Sequence, residues 1–133
     1  MRTIGWDTIR ITLHVLAATI WVGGQVTLAV LVPVLRKEAP GATGPVTRRF
    51  AVVAWWAFGV LLATGVWNVV AEWHEWDRGA RATFAAKLVA VALSGGAALM
   101  HQRAGGPAGR AAFGALSALA ALAAVFLGVV LAG

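Results

Sequence analysis

Three long stretches of the chain carry no Asp, Glu, Lys or Arg: Ile11 to Leu35, Phe50 to Ala71 and Ala111 to Gly133, of 25, 22 and 23 residues. Each reaches the roughly 20 residues that a helix needs to cross a bilayer. A fourth stretch, Ala82 to Met100, is equally apolar but for one charge, Lys87. Lipid cannot satisfy exposed backbone groups, so these spans must be helices, and they are far too long for barrel strands of about 10 residues. The pattern predicts helices over about 8–35, 49–71, 82–101 and 111–132. Short connections punctuated by Ala39-Pro40-Gly41 and Gly105-Gly106-Pro107 make neighbouring helices antiparallel. The expected fold is therefore all-α: a polytopic, up-down four-helix membrane bundle forming a single domain over 1–133. The first stretch exceeds the roughly 7 to 15 apolar residues of a signal peptide, so it is read as a permanent span.

Composition sharpens this reading. A hydrophobic fraction of 60% with only 12% charged residues excludes a water-soluble monomer, where about 25% would be charged. The lipid bilayer is the expected surrounding. A net charge of +6 would suggest nucleic acid in a soluble protein, but most of the basic residues flank the spans and report orientation, and no nucleic-acid partner is expected. Arg36, Lys37, Arg48, Arg49, Arg103 and Arg110 fall on one side; Arg2, Arg10, Arg78, Arg81 and the embedded Lys87 fall on the other. The positive-inside rule then places both termini outside the cytoplasm, by six basic residues against five. With no cysteine there is no disulfide framework, thiolate metal site or redox dithiol. Neither a phosphate-cradling glycine loop nor a pair of buried carboxylates is present, so the residues themselves point to no enzyme.

Polar groups within a bilayer are costly, which makes them the first functional candidates. In the first span His14, Ala18, Trp21, Gln25 and Leu28 recur at helical spacing and lie along one stripe. In the second, Thr64 and Asn68 are an i, i+4 pair; in the third, Thr83, Lys87, Ser94 and His101 share a face. With alternating helix directions and a rise of about 1.5 Å per residue, His14, Asn68 and Lys87 fall at similar depth, near the outer end of the bundle. His101 lies about 21 Å further along the helix axis from Lys87 and belongs to the other surface. Just above the outer group, Glu72-Trp73-His74-Glu75-Trp76-Asp77 places three carboxylates and an imidazole within six residues. Such ligands suit divalent ions including Cu(II) and Zn(II), with copper favoured by intrinsic affinity. A plain aromatic belt at the membrane surface accounts for the same tryptophans.

The stretch Leu13-His14-Val15-Leu16-Ala17-Ala18-Thr19-Ile20-Trp21-Val22-Gly23-Gly24 resembles the first helix of the CopD domain, the membrane part of bacterial copper-resistance proteins. Arg48-Arg49-Phe50 with Thr64-Gly65-Val66-Trp67-Asn68 resembles that family's next helix, and Lys87-Leu88 the one after. The likeness covers roughly residues 10 to 103. It implies a multi-pass protein of the bacterial inner membrane that handles copper, in exchange with a periplasmic carrier or a larger membrane partner; a homo-oligomer is compatible. His14, Trp21, Asn68 and Lys87 would line the site, and His14, His74, Glu72 and Glu75 would supply metal ligands. The chain departs from a Cu(I) thioether relay in having no Cys and a single internal Met, Met100. The first-helix His and third-helix Lys are also similar to those of the HemJ family, whose members bind haem b. On that alternative His14 is an axial ligand, Lys87, Arg10 or Arg81 face propionates, and Trp21 or Trp67 pack the ring. A non-catalytic accessory subunit is a third reading.

Overall fold

The structure, a computed structural model, describes residues 3–133; Arg2, counted in the charge balance, lies outside them. Among the described residues there are four α-helices and no strands: α1 (Trp6–Glu38), α2 (Pro40–Glu72), α3 (Arg78–Arg103) and α4 (Pro107–Ala132), with a 3-10 turn at Trp73–Glu75. All four are long and apolar enough to cross a membrane. This is the all-α, four-helix class that the apolar runs predict. The chain divides into two compact units, Met1–Trp73 and His74–Gly133, and each contains one pair of packed helices.

The helices outrun the spans predicted for them. At 33 residues, α1 and α2 are each about 50 Å long, against a hydrocarbon core of about 30 Å. The expected loop over 36–49 is not a loop, and the second helix begins at Pro40 rather than near 49. Charge ends an apolar run without ending a helix. Pro40 stands at the first helical position, where its missing N–H would have had no partner in any case. Only Ala39 breaks the path, with φ −146° and ψ 67°, and Ala42 N–H bonds back to its carbonyl at 2.9 Å. Thr47 Oγ1 donates to the carbonyls of Thr43 and Gly44. Arg48 turns back along α2 so that its guanidinium lies over Gly44, where a Cβ would meet Nη1 at 3.2 Å. A long basic side chain is thereby aimed toward the hairpin tip, the direction a snorkelling arginine takes to reach headgroups.

In the first unit one stripe of α1 meets α2. Arg10, His14, Ala17, Trp21 and Gly24 recur at intervals of four and three residues, the spacing that keeps one helix face on an antiparallel neighbour. Trp21 is 3% exposed, with ring centroids 5.3 Å from Trp55 and 4.5 Å from Phe58. Such aromatic clusters add about 0.5–1.5 kcal/mol per pair beyond burial. Gly24 admits the Phe50 ring to the place its own side chain would take.

The second unit uses small residues and hydroxyls. Ser94 and Ser117, 1% and 2% exposed, exchange hydrogen bonds: Ser94 Oγ donates to the Ser117 carbonyl at 2.9 Å, and Ser117 Oγ to that of Ser94 at 2.8 Å. Ala90 and Ala97 on α3, with Ala120, Ala121 and Ala124 on α4, are buried beside them. Without a hydrophobic drive between helices in lipid, close backbone approach and such bonds hold the pair. Two larger polar side chains lie over glycines of α4, Lys87 at Gly128 and His101 at Gly114. His101 Nδ1–H donates to the Arg110 carbonyl at 2.6 Å, and Arg110 Nε–H to that of Ala104 at 3.1 Å. Asp77 caps α3 by accepting from Ala80 N–H at 2.8 Å.

The two glycine contacts predict opposite outcomes. A Cβ at Gly24 would overlap the Phe50 ring, while one at Gly128 would meet only the flexible end of Lys87, at 2.9 Å. Gly24→Ala is expected to destabilise the protein by about 1–3 kcal/mol, the usual range for overpacking. Gly128→Ala is expected to lie within about 0.5 kcal/mol of the parent, as a change the neighbour absorbs. Unfolding in mixed micelles measures both.

Candidate functional site

The polar groups of the first unit collect at the open end of the α1–α2 hairpin. Arg10 enters one turn into α1, and its side chain crosses to α2 and is 3% exposed. Nη2 reaches Glu72 Oε1 at 2.9 Å and Asp7 Oδ1 at 3.2 Å; Nη1 donates to the Asn68 carbonyl at 3.4 Å. A guanidinium is suited to this because its fork of donors can serve several oxygens at once. Two carboxylates against one guanidinium leave the cluster with a formal charge of −1. Arg10 Nε and Asn68 Oδ1 are buried without a hydrogen-bond partner.

One turn further in, His14 Nδ1 lies 2.8 Å from Thr64 Oγ1. Thr64 is buried, and its hydroxyl donates to the Val60 carbonyl at 2.7 Å. A hydroxyl has one hydrogen. With that hydrogen on Val60, Oγ1 accepts from His14 Nδ1–H, so the neutral ring carries its lone pair on Nε2. Gly65, next in the chain, faces the ring, where an added Cβ would make ordinary van der Waals contact with Cε1 at 3.6 Å. Metal-binding histidines are oriented by the same kind of second bond.

The residues singled out in the sequence are thus placed unequally. His14 and Asn68 lie along one face of the same hairpin, but His14 bonds Thr64 and Asn68 stands with Arg10. Lys87 belongs to the second unit, where it packs on α4 at Gly128. Trp21 is a core residue enclosed with Trp55 and Phe58, and Trp67 is exposed. Of the four metal-ligand candidates, Glu72 is engaged by Arg10, and His74 and Glu75 are exposed on the 3-10 turn. Among the described residues no three His, Asp or Glu side chains gather as a metal-binding group.

Arg10 is the residue that sequence reasoning misplaces: counted as a flanking surface charge, it is the most buried charged group among the described residues. The signal was present in its spacing, four residues before His14 and eleven before Trp21 on the inward stripe. Ser117, partner of Ser94, carried no comparable signal in so alanine-rich a helix. An apolar groove of about 380 Å³ on the same hairpin, lined by Leu13, Ile20, Val53, Trp56 and others, offers no polar group for chemistry. Compared with known proteins, the chain matches no family model, no curated protein and no solved structure.

The tautomer argument makes a direct prediction. In ¹⁵N-histidine spectra of the bilayer-embedded protein, with His74→Ala and His101→Ala removing the other two imidazoles, His14 should be almost wholly Nδ1–H when neutral. Thr64→Val should shift it toward the Nε2–H form. An unchanged tautomer ratio in Thr64→Val would show that the hydroxyl does not set it.

Proposed function

We propose that this chain is a CopD-like, multi-pass protein of the bacterial inner membrane, with both termini outside the cytoplasm. In this reading it handles copper as cargo through His14. The observation that carries the reading is the bond from His14 Nδ1–H to Thr64, which directs the lone pair to Nε2, the nitrogen then able to bind a metal. Imidazole nitrogen suits copper in either common oxidation state better than the carboxylates do for Cu(I). The formal charge of −1 on the Asp7, Arg10 and Glu72 cluster, one turn away, favours a cation at this level despite the arginine. A single imidazole is a poor storage site and a reasonable transfer site, because a metal held by few protein ligands exchanges readily. The remaining ligands would come from a periplasmic carrier, a larger membrane partner or a second copy of the chain. Asn68 and Lys87 complete the resemblance without a ligand role derived from their contacts.

Haem b is the second reading, favoured by one observation: five-coordinate haem needs only one imidazole, and one is what the hairpin presents. Arg10 would then face a propionate only by leaving Glu72. Trp21, enclosed in the core, does not fit a ring-packing role. No step of porphyrin chemistry follows from these residues.

Detergent-purified protein should bind copper, with the His14→Ala variant falling to background in elemental analysis. Thr64→Val should weaken binding about tenfold, the scale on which loss of an orienting bond acts. Copper content unaltered by His14→Ala would remove the site. A Soret band that His14→Ala abolishes would establish haem in its place.

A further inference from the structure

The apolar groove of the first hairpin ends beside a pair of arginines. Its floor is Ala17 and Ala57, both buried where α1 meets α2. Larger side chains, among them Leu13, Ile20, Val53 and Trp56, stand around them and enclose about 380 Å³. On α2 the lining runs from Val52 to Val60. Arg48 and Arg49 precede Val52 and Val53 by four residues each, and residues four apart on a helix lie one above the other on one face. The lined face of α2 therefore continues, one turn nearer the hairpin tip, into two adjacent basic residues, both exposed. The Arg48 guanidinium lies over Gly44, a further turn toward the tip. Charge is thus carried away from the groove and toward the headgroup level.

We propose that the groove and the arginine pair form a site for one anionic phospholipid of the leaflet on the tip side. An acyl chain lies along the groove, and the phosphate stands on Arg48 and Arg49. The order of the parts selects the occupant. From headgroup to tail such a lipid is first anionic and then apolar, and the lined face of α2 reads cationic and then apolar from the tip inward. An apolar helix from a partner or a second copy would fill the groove and leave the guanidinium groups unanswered. A free phosphate would answer the arginines and leave the groove empty. A zwitterionic lipid would bring an ammonium group to a tip where Arg36, Lys37, Arg48 and Arg49 stand against Glu38 alone, four basic residues to one acid, a formal charge of +3.

The length agrees. From Arg48 to Val60 is twelve residues, or about 18 Å along α2, close to the depth of one leaflet in a hydrocarbon core of about 30 Å. Clustered basic residues next to a membrane span attract anionic headgroups in general. The groove adds a place for the tail, which turns a diffuse attraction into a site holding one molecule. The site is separate from the His14–Thr64 contact and holds whether His14 serves copper, haem or neither.

The test is lipid retention by the detergent-purified full chain, mixed with equal amounts of phosphatidylglycerol and phosphatidylcholine of the same acyl chains and read by native mass spectrometry. One phosphatidylglycerol per chain should be retained, preferred by about tenfold, the scale on which two basic residues attract an anionic lipid. Arg48→Gln with Arg49→Gln should reduce that preference to about twofold or less. Arg36→Gln with Lys37→Gln removes the same charge from the end of α1 and should leave most of the preference in place. Val53→Trp fills the groove with all four basic residues intact and should lower retention of both lipids. Equal retention of the two lipids by the parent chain overturns the proposal. So does a preference that survives Arg48→Gln with Arg49→Gln, or one that falls as far with Arg36→Gln and Lys37→Gln, since diffuse charge would then account for it. Retention unaltered by Val53→Trp, or a dimer that carries no lipid and so gives the groove to a second copy, overturns it as well.

Discussion

The guanidinium of Arg10 is the constraint around which the first hairpin is arranged. Nearly sealed from solvent, it must be paid for by oxygens from both helices, and it finds them in Asp7, Asn68 and Glu72. That requirement sets the register of α1 against α2. Once Arg10 stands opposite Asn68 and Glu72, the helical repeat puts His14 beside Thr64 and Trp21 among Trp55 and Phe58. A shift of either helix by one turn would strand the charge in a low-dielectric interior, where an unpaired ion costs several kcal/mol.

The second hairpin solves the same problem with different means. Lipid tails are as apolar as leucine, so burying leucine between helices gains little, and association rests on close packing and internal hydrogen bonds. Reciprocal bonds between Ser94 and Ser117 replace the ion pair. Lys87 and His101, fourteen residues apart on α3, lie over Gly128 and Gly114, fourteen apart on α4. Two bulky polar groups thus meet two residues without side chains, at matching intervals of an antiparallel pair. The embedded lysine and the exposed histidine of α3 each pack on a glycine of α4, whereas His14 is held by a hydrogen bond to Thr64 of the neighbouring helix.

Much of this was legible in the chain. Uninterrupted apolar runs of 22 to 25 residues specify membrane helices because lipid leaves the backbone no alternative, and His14 stood out because an imidazole in such a run is rare. Helix ends were less legible: Pro40 and Gly41 read as loop residues, yet proline is compatible with a first helical turn, and α2 starts there. The partners of the polar groups were the least legible. Depth alone paired His14 with Asn68 and Lys87, whereas contact depends on register and on gaps. Register is set by Arg10, a residue that composition assigns to the surface, and gaps by glycines such as Gly128, whose significance depends on what lies opposite. The carboxylate and histidine run at 72–77 looked like a ligand set because its members are adjacent in sequence. In the fold Glu72 is taken by Arg10, Asp77 caps α3, and His74 and Glu75 are exposed.

The dependence of the first hairpin on its ion pair is tested most directly by exchanging the partners. Arg10→Glu and Glu72→Arg alone each place like charges together and should lower unfolding stability in micelles. The expected loss is about 1–3 kcal/mol, moderated because the Glu72 side chain is 40% exposed. The double exchange should recover at least half of the summed loss. Single variants as stable as the parent, or a double variant that merely adds the two losses, would contradict the account.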